Sequence, residues 1–195
     1  MRRYCMALAA ALIALPGVRA QEEGEDREAY LYDGLSEISL NAFGAWNSPE
    51  DSDIDQYNIG GEVFYGIFLT DWLEVGAKAE YEFIQTENDA LGTEREDQVL
   101  LAAPQITVNL LTDGAVVPFA LVAGGIAYTR TEIEVPGAES SDDEVGAFWE
   151  AGGGIRLFLT ESASVNLSVR FRQLLFEDIE DIDSVVGTAG ISIYF

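Results

Sequence analysis

Histidine is absent from the sequence, and the only cysteine is Cys5. Without histidine the chain has no Ser–His or Asp–His base, so serines such as Ser168 or Ser192 have no evident catalytic partner. With a single cysteine it has no disulfide, and no set of His and Cys ligands can hold zinc. These absences exclude a thiol nucleophile, a Ser–His or Asp–His base and a metal site of His and Cys ligands.

Basic residues are also scarce. The 195 residues include 35 Asp and Glu but 10 Lys and Arg, which gives a formal charge of −25. Three of the arginines lie in the first 20 residues, so the rest of the chain carries −28. A surface this acidic repels nucleic acid and attracts cations, and we expect no nucleic-acid partner.

No apolar run is long enough for a membrane-spanning helix. The run near the N-terminus, Met6–Leu15, follows two arginines and precedes the small residues Val18 and Ala20. Charge, length and small residues together predict an export signal over residues 1–20, which leaves no cysteine in the exported chain. Cys5 precedes the apolar run, so it does not have the position of a lipidated cysteine.

The rest of the chain reads as one domain. Residues 21–33 are acidic and lack a strand pattern, which predicts a mobile lead-in to a domain over residues 34–195. That domain contains eight segments rich in Val, Ile, Phe, Tyr, Ala and Gly, separated by turn-forming residues, and each segment is predicted to be a strand. The predicted strands are Ser36–Trp46, Tyr57–Leu69, Leu73–Thr86, Gln98–Leu110, Val117–Arg130, Val145–Leu159, Ser164–Phe176 and Val185–Phe195.

The links between these strands alternate in length. The links after the second, fourth and sixth strands are short, and those after the other strands are longer. The longer links hold 20 of the 35 acidic residues and only one basic residue, Arg95. Short turns at one end and acidic loops at the other are typical of an up-and-down barrel. The loops either form a solvated, repulsive surface or bind divalent cations, for which Glu177–Asp183 supplies five carboxylates without a recognised calcium-loop spacing.

Alternate residues divide seven of the strands into an uncharged apolar face and an opposite face with ten charges. The third strand shows the pattern, with Leu73, Val75 and Ala77 against Glu74 and Lys78. The fifth strand is apolar on both faces, so its register is not assigned. Pro104 interrupts the fourth strand and is expected to mark a bulge, because proline cannot donate to a ladder.

Three observations place the charged face inside the barrel. It is rich in glycine, which leaves room for long side chains; its charges have both signs; and aromatic residues on the apolar face cluster at the strand ends. The predicted lumen charge network is Glu37, Glu62, Lys78, Glu80, Glu150, Arg156, Arg170 and Arg172. The predicted interfacial aromatics are Trp46, Tyr81, Phe83 and Trp149.

The sequence ends on an alternating run, Ala189–Phe195, and we expect this last strand to pair with the first and close the barrel. The export signal, the paired hairpins, this terminal run and the Val117–Tyr128 segment resemble the small eight-stranded outer-membrane barrels of Gram-negative bacteria, of the OmpA-barrel, OmpX and OmpW kind. The resemblance implies an all-β, eight-stranded antiparallel up-and-down transmembrane β-barrel in the outer membrane, surrounded by lipid and lipopolysaccharide. It also implies that Ile191, Ile193 and Phe195 are recognised by the barrel-assembly machinery.

Four functions remain open. A non-enzymatic barrel with a salt-bridged polar lumen and a structural or surface-interaction role is favoured, without cofactor or metal. A small gated pore, in which an Arg–Glu or Lys–Glu pair of the lumen opens and closes a water path, is the alternative. A lipid-modifying enzyme of the outer membrane and a soluble periplasmic barrel for an apolar ligand are less favoured, because histidine is absent and the charged face is rich in glycine.

Overall fold

The computed structural model describes residues 31–47, 54–88, 93–112, 114–135, 138–176 and 182–195. These form eight antiparallel strands in one closed barrel, each paired with its neighbours in the chain. The strands are β1 (Ser36–Asn47), β2 (Ile54–Phe68), β3 (Leu73–Asn88), β4 (Thr93–Asn109), β5 (Val116–Val135), β6 (Ala138–Thr160), β7 (Ala163–Leu175) and β8 (Ile182–Tyr194). Within the described ranges there is no helix long and apolar enough to cross a bilayer.

The last strand closes the barrel against the first, as the sequence predicts. Six residue pairs join β1 to β8, from Glu37 opposite Tyr194 to Ala42 opposite Ala189. Below them the backbones of Ser36 and Phe195 exchange two hydrogen bonds of 2.9 and 3.0 Å. The terminal aromatic is therefore held in the ladder by its own backbone.

The polar face lies inside and the apolar face outside. On β1, Ser39 is 2% exposed whereas its neighbour Leu40 is 55% exposed. On β8, Ile191 and Ile193 lie on the outer wall while Ser192 between them is buried. A soluble barrel would show the opposite arrangement, so the predicted transmembrane fold class is confirmed.

The strands end close to their predicted positions at the short-turn end, and all but β7 continue further at the long-loop end. Residues 131–135 and 138–144, expected in a loop, form the paired continuation of β5 and β6. Residues 93–97, also expected in a loop, belong to β4 and pair with β3. On both faces of these extensions the described side chains are exposed or half-buried, so the apolar alternation typical of a membrane-spanning strand is lost. The backbone pairing between the strands nevertheless continues. The first and last long loops, residues 48–53 and 177–181, lie outside the described residues.

The structure supplies the register of β5, which the sequence pattern left unassigned. Val117, Phe119, Leu121, Ala123 and Ala127 of β5 face the lumen and are buried. Both faces are apolar because this strand lines an apolar part of the lumen, where Ala123 and Ala127 pack in one cluster with Phe148 and Leu174.

The expectation of a bulge at Pro104 is wrong. The β4–β5 register is the same on both sides of it, from Ala102 opposite Ile126 to Gln105 opposite Ala123. Pro104 pairs with β3 but has no partner in β5. Proline has no backbone N–H, so it cannot donate a ladder hydrogen bond to β5. Gly125 faces this interruption, and a Cβ there would lie 2.1 Å from the carbonyl oxygen of Ala102.

An apolar plug closes the lumen at the short-turn end. It consists of Leu31, Leu35, Phe68, Val117, Phe158 and Tyr194. Leu31 is 1% exposed, and a turn with Gly34 at φ +85° ties this segment to Phe68 through a Gly34 N–H bond of 2.9 Å. The predicted lead-in is therefore fixed to the barrel at its last residues rather than mobile there; residues 21–30 lie outside the described residues.

Candidate functional site: the charged lumen

Ten charged side chains from β1, β2, β3, β6 and β7 are buried inside the barrel. They include all eight residues of the predicted lumen charge network. Glu74 and Glu82 join them, although the predicted network leaves them out. Glu74 lies two residues before Gly76 and Glu82 lies two residues after Glu80, both on the polar face of β3. That position was the signal that could have added them to the predicted network. Four cations face six carboxylates, so the formal charge of the lumen is −2.

Glycines on the same face make room for these side chains. A Cβ at Gly152 would lie 2.8 Å from Cγ of Arg170, and one at Gly66 would lie 2.2 Å from Oε1 of Glu74. At Gly76 the conflict is with Phe64, whose ring would be 2.6 Å away. The glycines therefore accommodate lumen aromatics as well as the charged residues that the sequence pattern suggested.

Seven of the charged residues form a central layer: Lys78, Arg170, Arg172, Glu62, Glu80, Glu82 and Glu150. Lys78 Nζ donates to Glu62, Glu80 and Glu150 at 2.9, 3.1 and 2.5 Å. Glu150 also accepts from Arg170 at 3.0 Å and lies 3.3 Å from Nε of Arg172. Because β6 and β7 supply Glu150 and the arginines while β2 and β3 supply the rest, the layer ties opposite walls of the barrel together.

The other three residues, Arg156, Glu37 and Glu74, form a lower layer nearer the short turns. Arg156 donates to Glu37 at 2.7 Å and to Glu74 at 2.6 Å. Its guanidinium lies between the rings of Phe68 and Phe119, at 5.5 and 5.3 Å from their centroids. The apolar plug lies directly beneath this layer through Phe68, and it separates the ion pairs from water at that end.

Neutral side chains donate further hydrogen bonds to three of the carboxylates. Asn41 donates to Glu62 at 2.8 Å, and Asn58 donates to Glu82 at 2.6 Å. Ser192 donates to Glu37 at 2.5 Å. The Glu37 carboxylate thus lies beside Ser192, for which the sequence showed no catalytic base. Ser192 is 1% exposed and Glu37 is held by Arg156, so the pair has no access for a substrate.

The central layer leaves no water path through the described part of the barrel. The side chains of Lys78, Glu80 and Glu150 are 0% exposed, and those of Arg170 and Arg172 are 1% exposed. Ion pairs in such a low-dielectric site are stable only when every charge is paired and hydrogen-bonded. The geometry is that of a closed polar core in which every charged side chain has an ion-pair partner.

The predicted assembly residues and two of the predicted interfacial aromatics lie on the outer wall. Ile191, Ile193 and Phe195 are 54, 56 and 63% exposed. Tyr81 and Trp149 are exposed, and the indole N–H of Trp149 donates to Gln173 at 2.8 Å. Phe83 is half-buried, and Trp46 lies on β1 opposite Tyr57. Their roles in assembly and at the membrane interface stay predictions.

The long-loop end carries an acidic projecting sheet. It comprises residues 84–88, 93–98, 129–135 and 138–146 of β3 to β6, with ten acidic residues and two arginines. Both arginines are already paired, Arg95 with Asp97 at 2.9 Å and Arg130 with Glu132 at 2.7 Å. Nowhere in the described ranges do three or more acidic side chains come together in a way that could hold a metal ion, and most of the Glu177–Asp183 loop lies outside those ranges.

Comparisons with known proteins agree with this fold. A family model for the outer membrane protein β-barrel domain matches residues 7–194. Ail of Yersinia pestis, in complex with the heparin analogue sucrose octasulfate, aligns with a TM-score of 0.57 at 11% identity over 84% of this chain and 99% of Ail. OprG of Pseudomonas aeruginosa gives 0.56 at 12% identity over 86 and 99%, and Neisserial surface protein A gives 0.50 at 13% over 84 and 98%. No curated protein sequence matches the chain.

Proposed function

Since the chain belongs to the outer membrane protein β-barrel domain family, we propose that it is a non-enzymatic barrel of the outer membrane that acts through its acidic projecting sheet. The closed lumen supports a scaffolding role for the barrel, because the ion pairs fill the space that a substrate or solute would need. The apolar outer wall contacts lipid and lipopolysaccharide. The exposed positions of Ile191, Ile193 and Phe195 support recognition of the last strand by the assembly machinery.

The observation that carries this proposal is the length of β5 and β6. Their pairing continues from Ala147 opposite Ile126 up to Ala138 opposite Val135. Nine residues of strand rise about 30 Å along the strand direction. This part of the hairpin lies on the long-loop side of the β6–β7 pairs that the structure describes, which begin at Ala147 opposite Leu175. A projecting sheet of this length offers a surface to a partner protein.

The charge of the sheet selects the partner. With ten acidic residues against two arginines, the projecting sheet attracts an extended, basic segment of another protein and repels a polyanion. Asp142 and Asp143 are exposed on the projecting part of β6, where they would face such a segment. Ail is crystallised with a polysulfated ligand; we propose that this chain does not bind such a ligand, because its sheet carries charge of the same sign as the sulfates.

Binding of a Lys- and Arg-rich extended peptide to the purified barrel tests the proposal. Asp142→Asn with Asp143→Asn should weaken binding roughly tenfold, equivalent to about 1.4 kcal/mol, and more so at low salt. Glu161→Gln, in the β6–β7 turn at the opposite end, is the matched control and should bind like the wild type. Equal weakening by Glu161→Gln, or tighter binding of sucrose octasulfate than of the peptide, contradicts the proposal.

A small gated pore is the second candidate, and the observation that favours it is a polar chamber inside the lumen between the two charged layers. Conduction would require both layers to rearrange. Planar-bilayer recording of the wild type and of Arg156→Ala decides the matter, since channel events above background in either protein support a pore. Background events alone in both proteins end that candidate.

Binding of divalent cations at the acidic loops remains a separate proposal. Its support is the sequence of the Glu177–Asp183 loop, with five carboxylates in seven residues. Calorimetric titration with Ca²⁺ tests it, and no heat of binding at millimolar concentration would exclude it.

A further inference from the structure

The seam between the first and last strands is paired along only part of its length. The residue pairs that join β1 to β8 end at Ala42 opposite Ala189. Both strands extend further toward the long-loop end, where β1 reaches Asn47 and β8 begins at Ile182. Above Ala42 and Ala189, no pair joins the described residues of β1 to those of β8. We call this upper section, residues 43–47 of β1 and 184–188 of β8, the open seam.

Each strand of the open seam keeps the partner on its other edge. Residues 43–47 of β1 pair with residues 56–60 of β2, and residues 184–188 of β8 pair with residues 168–172 of β7. Both strands therefore remain extended through this section. The open seam consists of two strand edges that face each other without a ladder between them.

The register shows which backbone groups are left unpaired. In an antiparallel ladder, the residue pairs that exchange two hydrogen bonds recur at every second position. Ser36 and Phe195 form such a pair. If the ladder continued above Ala42 and Ala189, two more pairs of this kind would follow: Gly44 with Gly187, and Trp46 with Val185. The N–H and C=O groups of these four residues have no ladder partner across the seam.

These backbone groups lie at the lipid-facing wall of the barrel. Gly44 is opposite Ile59 of β2, which is 49% exposed, and Val185 is 69% exposed. The hydrocarbon of a membrane offers no hydrogen-bond donors or acceptors, so an open strand edge is not stable against lipid. The open seam therefore needs a partner that presents backbone donors and acceptors of its own.

A second copy of this chain presents the edges that fit. In every copy β1 runs toward the long loops and β8 runs away from them, and all copies in one membrane share this orientation. The open edge of β1 can therefore pair antiparallel with the open edge of β8 in a neighbour, at the same depth and in the register of the lower seam. The open edge of β8 meets β1 of that neighbour in the same way, so a two-fold axis along the membrane normal satisfies both edges.

Small residues allow the two walls to approach each other. The outer positions beside the open seam are Ala42 and Gly44 on β1, and Gly187 and Ala189 on β8. None of these residues carries a charge or a side chain larger than a methyl group. A glycine inside a strand often marks the close approach of another backbone, and the open seam has one on each edge.

We propose that the open seam is a homodimer interface, in which β1 of each copy pairs with β8 of the other. Each of the two ladders restores the pairs Gly44–Gly187 and Trp46–Val185 between copies, while the lower seam stays closed within each copy. The interface is separate from the acidic projecting sheet, which belongs to β3 to β6.

Cysteine cross-linking between two single variants tests this interface, in chains that also carry Cys5→Ser. Residues of a hydrogen-bonded antiparallel pair have Cα atoms about 5.5 Å apart, which is within the range for a disulfide. Trp46→Cys and Val185→Cys, one of them with an affinity tag, are reconstituted together in lipid vesicles and oxidised. We expect a disulfide-linked dimer of tagged and untagged chains from the mixture, and no dimer from either variant alone. No dimer from the mixture, or as much from one variant alone, overturns the proposal.

Two further arms separate the interface from other contacts. Val63→Cys and Val122→Cys, both exposed on the outer wall away from the seam, should give no dimer under the same treatment. An equal amount of dimer from that control mixture means collision in the membrane and contradicts the proposal. The double variant Trp46→Cys with Val185→Cys should link two chains. A disulfide within one chain, seen as an oxidised monomer, shows that the seam closes inside each copy and also overturns the proposal.

Discussion

Replacing Gly152 with alanine tests how the lumen is filled. Gly152 lies on the lumen face of β6, opposite Arg170 of β7. A Cβ built there would lie 2.3 Å from the carbonyl oxygen of Val169 and 2.8 Å from Cγ of Arg170, whereas ordinary contact begins at 3.4 Å. The backbone of β7 and the side chain of Arg170 must therefore move by about 1 Å to admit one methyl group.

The cost of that movement has two parts. Overpacking of a well-filled interior costs about 1–3 kcal/mol. A displaced Arg170 also weakens its bonds to Glu62 and Glu150, and complete loss of a buried ion pair costs about 3–5 kcal/mol. Since the pairs are strained rather than lost, we expect Gly152→Ala to lower the free energy of unfolding by about 2–4 kcal/mol.

Gly61 provides the matched control, because it lies on the outer wall of β2. The nearest atom to a Cβ there is the carbonyl oxygen of Asn41 at 3.6 Å, an ordinary contact. Gly61→Ala should therefore be neutral or stabilise by up to about 1 kcal/mol, as alanine does for glycine in a strand. Urea unfolding in lipid vesicles, followed by tryptophan fluorescence and by mobility in unheated gels, compares the two. Equal effects, or a larger loss for Gly61→Ala, refute the assignment of faces.

Three further predictions concern other parts of the barrel. Lys78→Met leaves three buried carboxylates without their shared cation and should lower the free energy of unfolding by about 3–5 kcal/mol. Arg130→Met removes an exposed ion pair and should lower it by less than about 1 kcal/mol. Equal losses for the two variants in urea titrations contradict a buried central layer. Leu31→Ala should lower the free energy of unfolding by about 2–5 kcal/mol, because it empties part of the apolar plug. Tyr32→Ala, at an exposed neighbour, should lie within about 0.5 kcal/mol of the wild type. A Leu31→Ala protein as stable as the wild type rules out a packed lead-in. Deletion of Phe195 should reduce the yield of barrel in the outer membrane while the protein still folds in detergent, and an unchanged yield counts against a role in assembly.

Much of the barrel follows from the period-two pattern of the sequence. Lipid on one side and a polar lumen on the other impose opposite polarity on successive residues, so Ser39 and Leu40 reveal their faces without a structure. The same pattern marks where a strand enters the membrane from a short turn. It fails above the membrane, where Thr131 and Glu132 both meet water and a continuing strand looks like a loop.

The lumen was predictable as a set of charges but not as two layers. Which carboxylate meets Arg156 depends on the stagger of the strands, and only the register brings Glu74 of β3 near a residue of β6. Likewise, only the register shows that Glu82 of β3 meets Arg172 of β7. The apolar plug could not be foreseen, because Leu31 belongs to a segment with no strand period and takes its partners from distant strands.

Chemical labelling of two neighbouring residues on β7 tests the central claim, that the charged face lines a closed lumen and the apolar face meets lipid. Val169 is 47% exposed on the outer wall, whereas Ser168 faces the lumen and shares a 2.7 Å hydrogen bond with Thr188. The only native cysteine is Cys5, so Val169→Cys and Ser168→Cys report single positions once Cys5 is replaced with serine. In lipid vesicles, Val169→Cys should react with a membrane-soluble maleimide, and Ser168→Cys should stay protected until the barrel is unfolded. Protection of Val169→Cys together with reaction of Ser168→Cys would contradict the arrangement.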